Sequence, residues 1–208
     1  MDLNSPIPTE WQSYVTQSNI GLEVIPHMLY SVKNYVSGAT TILTFFDFVR
    51  GSRPDLTDMQ QPNMLPNPES FLIQNIRIFG WGQLDSPDPT TPPDVQASQF
   101  NAMIELTKRG ILEMKIGNKS YGPWPLWTLP AHNFVQGVIS GSTDLDYGQV
   151  GGMLYSLFPN LMISPLQQFS VHLSWPGGAV TLPDVGGEGT PELPLEVLFD
   201  GQLARSIQ

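Results

Sequence analysis

The sequence predicts an all-β domain. Glycine and proline are frequent, 19 and 20 of 208 residues, and punctuate the chain at short intervals. Runs rich in β-branched and aromatic residues recur between them, as in "ATTILTFFDFV" at 39–49. Period-two alternation is clear in several of those runs, and no strand–helix–strand rhythm interrupts them. The length suits one large β domain or two small ones. Strand signals recur along the whole chain without a linker, so residues 21–208 are read as one domain.

Residues 1–20 are polar, with Pro6 and Pro8 near the start, and predict an extended arm with Trp11 and Tyr14 as anchors. Residues 22–36 and 39–49 are the first strand candidates. The stretch "RGSRPDLTDMQQPNMLPNPES" holds four prolines and predicts a surface loop. "FLIQNIRIFGW", 71–81, is apolar on both faces around Gln74, Asn75 and Arg77. A strand covered on both sides, or lying at a subunit contact near Trp81, reads this way. A second proline-rich loop is expected over 82–94. Residues 99–110 are mixed and lean to strand.

"GILEMKIGNKSY" puts Leu112, Met114 and Ile116 on one face and Glu113 and Lys115 on the other, a half-buried strand. Gly117 and Asn118 tolerate positive φ and predict a tight turn. Pro123 and Pro125 cannot donate to a ladder, so the "SYGPWPLW" that follows belongs at a sheet edge or a crossing. Trp124 and Trp127 are expected to be covered by the domain's own loops or by a neighbouring subunit. Residues 131–140 predict a strand, and 146–160 a short helix ended by Pro159 and Asn160. In "FSVHLSW", 169–175, Phe169, Val171, Leu173 and Trp175 face one way and His172 the other. "PGG" then turns the chain. An acidic loop over 183–194 leads to one or two closing strands. The total is about eight to ten strands.

The net charge is −10, and only nine residues are basic. The tightest basic group is Lys108, Arg109, Lys115 and Lys119. Direct nucleic-acid binding needs more clustered cations than this, so none is expected. The acidity favours solubility. The chain has no cysteine, which removes disulfides, thiolate metal sites and cysteine nucleophiles together. No signal peptide is expected, and no apolar run is long enough to span a membrane.

Patterns of catalysis are missing. His27, His132 and His172 are isolated, without a second ligand at i+2 or i+4. They are expected to be surface or hydrogen-bonded histidines. "ISGSTD" fails the spacing of a nucleophile elbow, and no phosphate-binding glycine loop is present. Asp144 and Asp146 offer two oxygens to calcium but lack the rest of a ligand loop, so a solvated turn is expected there. No carboxylate pair stands out for glycoside hydrolysis. The expectation is a protein without catalytic residues, metal or cofactor.

An all-β, acidic, cysteine-free chain with long proline-rich loops is what a jelly roll looks like in sequence. The expectation is a single jelly-roll sandwich or barrel with at most one or two short helices. "GILEMKIGNKSYGPWPLWTLPA" resembles the mid-domain strand–turn–strand of capsid proteins from tailless icosahedral bacteriophages. "ISPLQQFSVHLSWPGG" is similar to their late strand pair. "LPLEVLFDGQLARSIQ" is similar to their closing strand, with Asp200–Gly201 as a turn and Arg205 near the end. The resemblance covers roughly residues 100–208 and is one of order and style. It implies a capsid subunit of the virion, made in the host cytoplasm and assembling with copies of itself and other capsid proteins. It also implies proximity to an internal membrane without a spanning segment. Lattice, penton and cement roles remain open. The alternative from the residues themselves is a carbohydrate-binding sandwich in which exposed tryptophans stack on sugar faces.

Overall fold

The computed structural model describes residues 22–51, 53–80, 105–129, 133–138, 146–151, 155–182 and 192–206. Within them lie ten strands: β1 (Leu22–Val36), β2 (Ile42–Phe45), β3 (Ser70–Gly80), β4 (Ile111–Ile116), β5 (Lys119–Pro125), β6 (Asn133–Val138), β7 (Asp146–Gly151), β8 (Tyr155–Ile163), β9 (Phe169–Ser174) and β10 (Glu192–Ser206). Eight of them form two four-stranded antiparallel sheets, ordered β1-β10-β3-β8 and β2-β9-β4-β5. The hairpin β6–β7 stands between β5 and β8 in sequence. Pairing is nested: β1 with β10, β2 with β9, β3 with β8, and β4 with β5. The protein is an all-β sandwich.

Both sheets supply one apolar core. Phe71, Ile73, Ile76, Leu195, Val197 and Phe199 come from the first sheet. Leu112, Met114, Ile116, Phe169, Val171 and Leu173 come from the second. The period-two faces of β4 and β9 point inward as their sequences require.

The doubly apolar look of β3 has a local cause. Asp200 pairs with Asn75 while its neighbour Gly201 pairs with Ile73, so Gln74 is an extra, bulged residue. The bulge changes the parity of the strand. Phe71 and Ile73 are buried before it, and Ile76 and Ile78 after it. Over 71–73 the strand is also covered on its other face. There Leu72 and Ala204 are buried and Val24 and Met162 pack against them.

The 50–69 loop does more than cross the surface. Met59 and Leu65 are core residues, and residues 54–58 run along the edge of β1. Val32 N–H donates to Leu56 O at 2.8 Å, and Thr57 Oγ1 donates to Tyr30 O at 3.0 Å. This covers a strand edge that otherwise presents unpaired backbone groups.

Several expectations are corrected. Residues 105–109 form a helical turn rather than a strand. Gly110 N–H closes it on Leu106 O at 2.9 Å, and Glu105 meets Lys108 and Arg109 at helical spacing. The expected helix over 146–160 is instead β7 and the start of β8. Pro159 is tolerated because it falls between the paired runs Tyr155–Ser156 and Leu161–Ile163, where no ladder donor is needed. β2 stops at Phe45 because Phe46 takes φ +64°. Ser31 Oγ accepts the Phe46 N–H at 3.0 Å, and the ring stacks on Phe199 with centroids 5.0 Å apart. Asp200 and Gly201 lie inside the continuous strand β10 and form no turn. That strand begins at Glu192, inside the expected 183–194 loop.

Candidate functional site

The stretch with the densest sequence signal is the β4–β5 hairpin and the turn after it. Gly117 carries φ +56°, and Ile116 pairs with Lys119 across a two-residue connection. β5 is an edge strand, as its prolines require. The register shifts once, since Leu112 faces Trp124 but Met114 faces Tyr121. Gly122 and Pro123 together stand opposite the single residue Glu113, so β5 carries one extra residue. Gly122 takes φ +95°, and a Cβ there would lie 2.8 Å from Leu112 O. The bulge explains how Tyr121 and Trp124, three residues apart, both pack on the core.

The two tryptophans have different fates. Trp124 is half-buried against the core, so its expected cover is the chain itself. Trp127 is 67% exposed and lies between Leu126 and Leu129, which are both buried. Its turn is fixed: Thr128 N–H and Oγ1 both donate to Pro125 O, at 2.9 and 2.7 Å. Leu126 N–H donates to Gly110 O at 2.9 Å. Arg109 and Trp127 are the residues immediately beside that bond on the two chain segments. Glycine suits position 110, because a Cβ would lie 2.9 Å from the backbone Leu106 O as well as 2.4 Å from Leu126 Cδ1. Trp11, Tyr14 and Trp81, the other expected packing residues, lie outside the described residues.

The charge pattern is uneven. Residues 105–119 hold Lys108, Arg109, Lys115 and Lys119 against Glu105 and Glu113. Lys108 and Arg109 share Glu105, at 3.3 and 3.2 Å. Exposed ion pairs of this kind add little stability; Lys115 and Lys119 lie apart from them, at the hairpin end of β4.

The outer face of the second sheet carries a hydroxyl–imidazole–hydroxyl chain. Thr44 Oγ1 lies 3.1 Å from His172 Nδ1, and Ser170 Oγ lies 3.1 Å from His172 Nε2. A shallow hollow of about 150 Å³ adjoins it, lined by Asn63, Lys115, Gln168, Phe169 and Ser170. The geometry resembles a serine–histidine dyad. Its orienting partner, however, is a neutral hydroxyl, which supplies no charge to stabilise an imidazolium. His172 is a hydrogen-bonded histidine, as expected.

His27 is also hydrogen-bonded. Its Nε2 lies 3.1 Å from Asp58 Oδ2, and Asp58 Oδ1 accepts Tyr30 N–H at 3.2 Å. Asp58 thereby ties the 50–69 loop to β1. No local sequence pattern signals this clamp, because its partners are 28 and 31 residues apart. Burial pushes the nearby Glu69 carboxyl above its ordinary value; His27 and Arg205 oppose the shift and Asp58 reinforces it. The folded state therefore binds this proton more readily than the unfolded chain does. Stability falls as pH rises through the raised pKa, and the loss is absent below the unfolded value. Glu69→Gln is expected to stabilise the protein at pH 7, with the gain vanishing as pH falls below about 4.3. Urea midpoints of both forms across that range check it. A gain of equal size at both ends contradicts the assignment.

Among the described residues, no three metal-ligating side chains come together. His132 and Asp144, and the side chain of Asp146, lie outside them. Among the described residues, no helix is long and apolar enough to cross a membrane. No known protein-family model matches this chain, and no curated protein is similar enough to be counted as a relative.

Proposed function

We propose that this chain is a jelly-roll capsid subunit whose work is assembly rather than catalysis. The observation that carries the reading is the nested strand pairing. A long antiparallel ladder, β1·β10 through β4·β5, is wrapped so that β10 meets β3 and β9 meets β4. Jelly rolls of viral capsid and lectin domains are built from eight strands in two sheets, and the nested order supports that reading. The sequence resemblance of residues 100–208 to phage capsid proteins favours the first of those uses. Its partners are then further copies of itself and other capsid proteins.

Native mass measurement over a wide concentration range, followed by electron microscopy of whatever forms, tests the proposal. Rings, trimers or shells are expected. A chain that stays monomeric at the highest concentration, and enters no particle when expressed with its virus, contradicts it.

The exposed Trp127 supports a second reading, a sugar-stacking module. Glycan-array binding that disappears in Trp127→Ala, with the fold intact, selects it. An array without signal sets it aside.

A further inference from the structure

We infer that the segment 54–58 is a latch that keeps the edge of β1 closed against strand addition by a second copy of this chain, and that the Asp58 carboxylate holds the latch. The inference stands apart from the capsid reading, because it concerns a contact the folded chain prevents rather than one a shell uses.

The edge is long, and its register with β10 is unbroken over Leu22–Val36. Every second residue of such a strand turns its backbone groups away from its partner. In β1 these are the even-numbered residues, because Tyr30 and Val32 N–H both donate outward, to Asp58 Oδ1 at 3.2 Å and Leu56 O at 2.8 Å. Two further positions are closed without the segment. Pro26 has no N–H to offer, and Val36 N–H donates to Thr40 Oγ1 at 2.9 Å. Ser31, which forms an antiparallel bridge with Thr57, lies midway between Pro26 and Val36. The segment therefore blocks the middle of the stretch that is left. An open edge recruits another strand through its backbone groups. A second β1, antiparallel about a two-fold axis at Ser31, offers the same donors and acceptors back to the first and closes a dimer.

The segment can lift without unfolding the domain. Its base is fixed: Arg50 N–H donates to Met59 O at 2.7 Å, and Met59 is a core residue. Arg53, Pro54 and Asp55 are exposed. Between base and tip the ties to β1 are a handful of hydrogen bonds. The Tyr30 hydroxyl donates to Pro54 O, Thr57 Oγ1 donates to Tyr30 O at 3.0 Å, and Val32 and Tyr30 N–H donate as above. Segments held this way open at far less than the global unfolding free energy. Asp58 is the central tie. One of its oxygens sits where the carbonyl of a neighbouring strand would accept Tyr30 N–H, and the other lies 3.1 Å from His27 Nε2.

The test uses the full chain in three forms, the parent, Asp58→Ala and Asp58→Asn. Sedimentation velocity follows association over a wide concentration range, and residue-resolved hydrogen exchange follows the Tyr30 and Val32 amides. Near-ultraviolet circular dichroism establishes that each form folds. In dilute Asp58→Ala these two amides are expected to exchange at least about tenfold faster than in the parent. As its concentration rises, a species of twice the parent's mass appears and both amides regain protection. Asp58→Asn keeps an oxygen that accepts Tyr30 N–H and is expected to behave as the parent does. Parental exchange rates in folded Asp58→Ala overturn the inference. Faster exchange without added association, or association that leaves both amides unprotected, overturns it as well. If Asp58→Ala does not fold, Tyr30→Phe, which removes the bond to Pro54 O, is read by the same criteria.

Discussion

Gly201→Ala is expected to cost about 3–5 kcal/mol, a large share of the stability of a domain this size. A Cβ at this position would lie 1.9 Å from Leu72 O, 2.9 Å from the Leu72 carbonyl carbon and 3.0 Å from Phe71 Cζ. The first two are backbone atoms and cannot swing aside as a side chain can. The strands cannot part either. β10 is held on its other side by β1, where Gly201 pairs with His27, and β3 is held by β8, where Leu72 pairs with Met162. The crowding belongs to the bulge at Gln74, which brings the two backbones together where the register shifts. Glycine is the residue that permits such an approach. Urea denaturation followed by circular dichroism measures the cost. Gly177→Ala is the control: a Cβ there meets nothing within 4 Å. Its effect is expected within about 0.5 kcal/mol. A Gly201→Ala variant unfolding at the parent's midpoint would falsify the close packing of β3 on β10.

The same bulge shows which parts of the fold the sequence carries locally and which it does not. β4 and β9 are legible because each keeps one parity from end to end, with one face wet and one face dry. β3 is not legible in that way. Its inner row switches parity at Gln74, and over 71–73 its outer face is covered as well, so the strand reads as apolar on both faces. Asp200–Gly201 looks like a turn dipeptide, but its glycine answers a neighbouring backbone rather than a reversal of the chain. β8 reads as a helix ended by proline, because nothing local reveals that Pro159 falls in a gap between two paired runs. The nested order joins residues as far apart as Leu22 and Ser206, and pairing at that separation leaves no periodic trace.

The hairpin that carries the two tryptophans is half legible in the sequence. The prolines of β5 mark an edge, and the four bases between 108 and 119 stand out in an acidic chain. What sequence spacing does not show is that the Leu126–Gly110 hydrogen bond ties the turn that carries Trp127 to the end of the 105–109 helical turn. Nor does it separate Trp124 from Trp127, which share a proline-rich context. The bulge at Gly122–Pro123 turns the first ring inward, and the turn at 126–128 leaves the second outside.

Trp175→Ala is expected to cost about 3–5 kcal/mol, whereas Trp127→Ala should change monomer stability by about 0.5 kcal/mol or less. Trp175 is 2% exposed and continues the inward row of β9. Its ring meets Tyr35 edge to face, with centroids 4.6 Å apart and planes at 68°. Tyr35 in turn accepts Val180 N–H and donates to Val180 O through one hydroxyl, at 2.5 and 3.0 Å. The indole Nε1–H donates to Leu106 O at 3.1 Å, in the helical turn just before β4. One side chain thus joins β9, β1, the 176–182 segment and the 105–109 turn. Alanine leaves a cavity among elements that other contacts hold apart, so the site cannot collapse to fill it. Trp175→Phe separates packing from hydrogen bonding. It keeps most of the apolar volume and removes the donor to Leu106 O, for an expected cost of about 1–3 kcal/mol. Denaturant midpoints of the three variants, measured at a concentration where the chain is monomeric, test the ordering. Equal losses from Trp175→Ala and Trp127→Ala contradict it. A Phe variant as damaged as the Ala variant would make the hydrogen bond, rather than the ring, the principal tie between the helical turn and the sandwich.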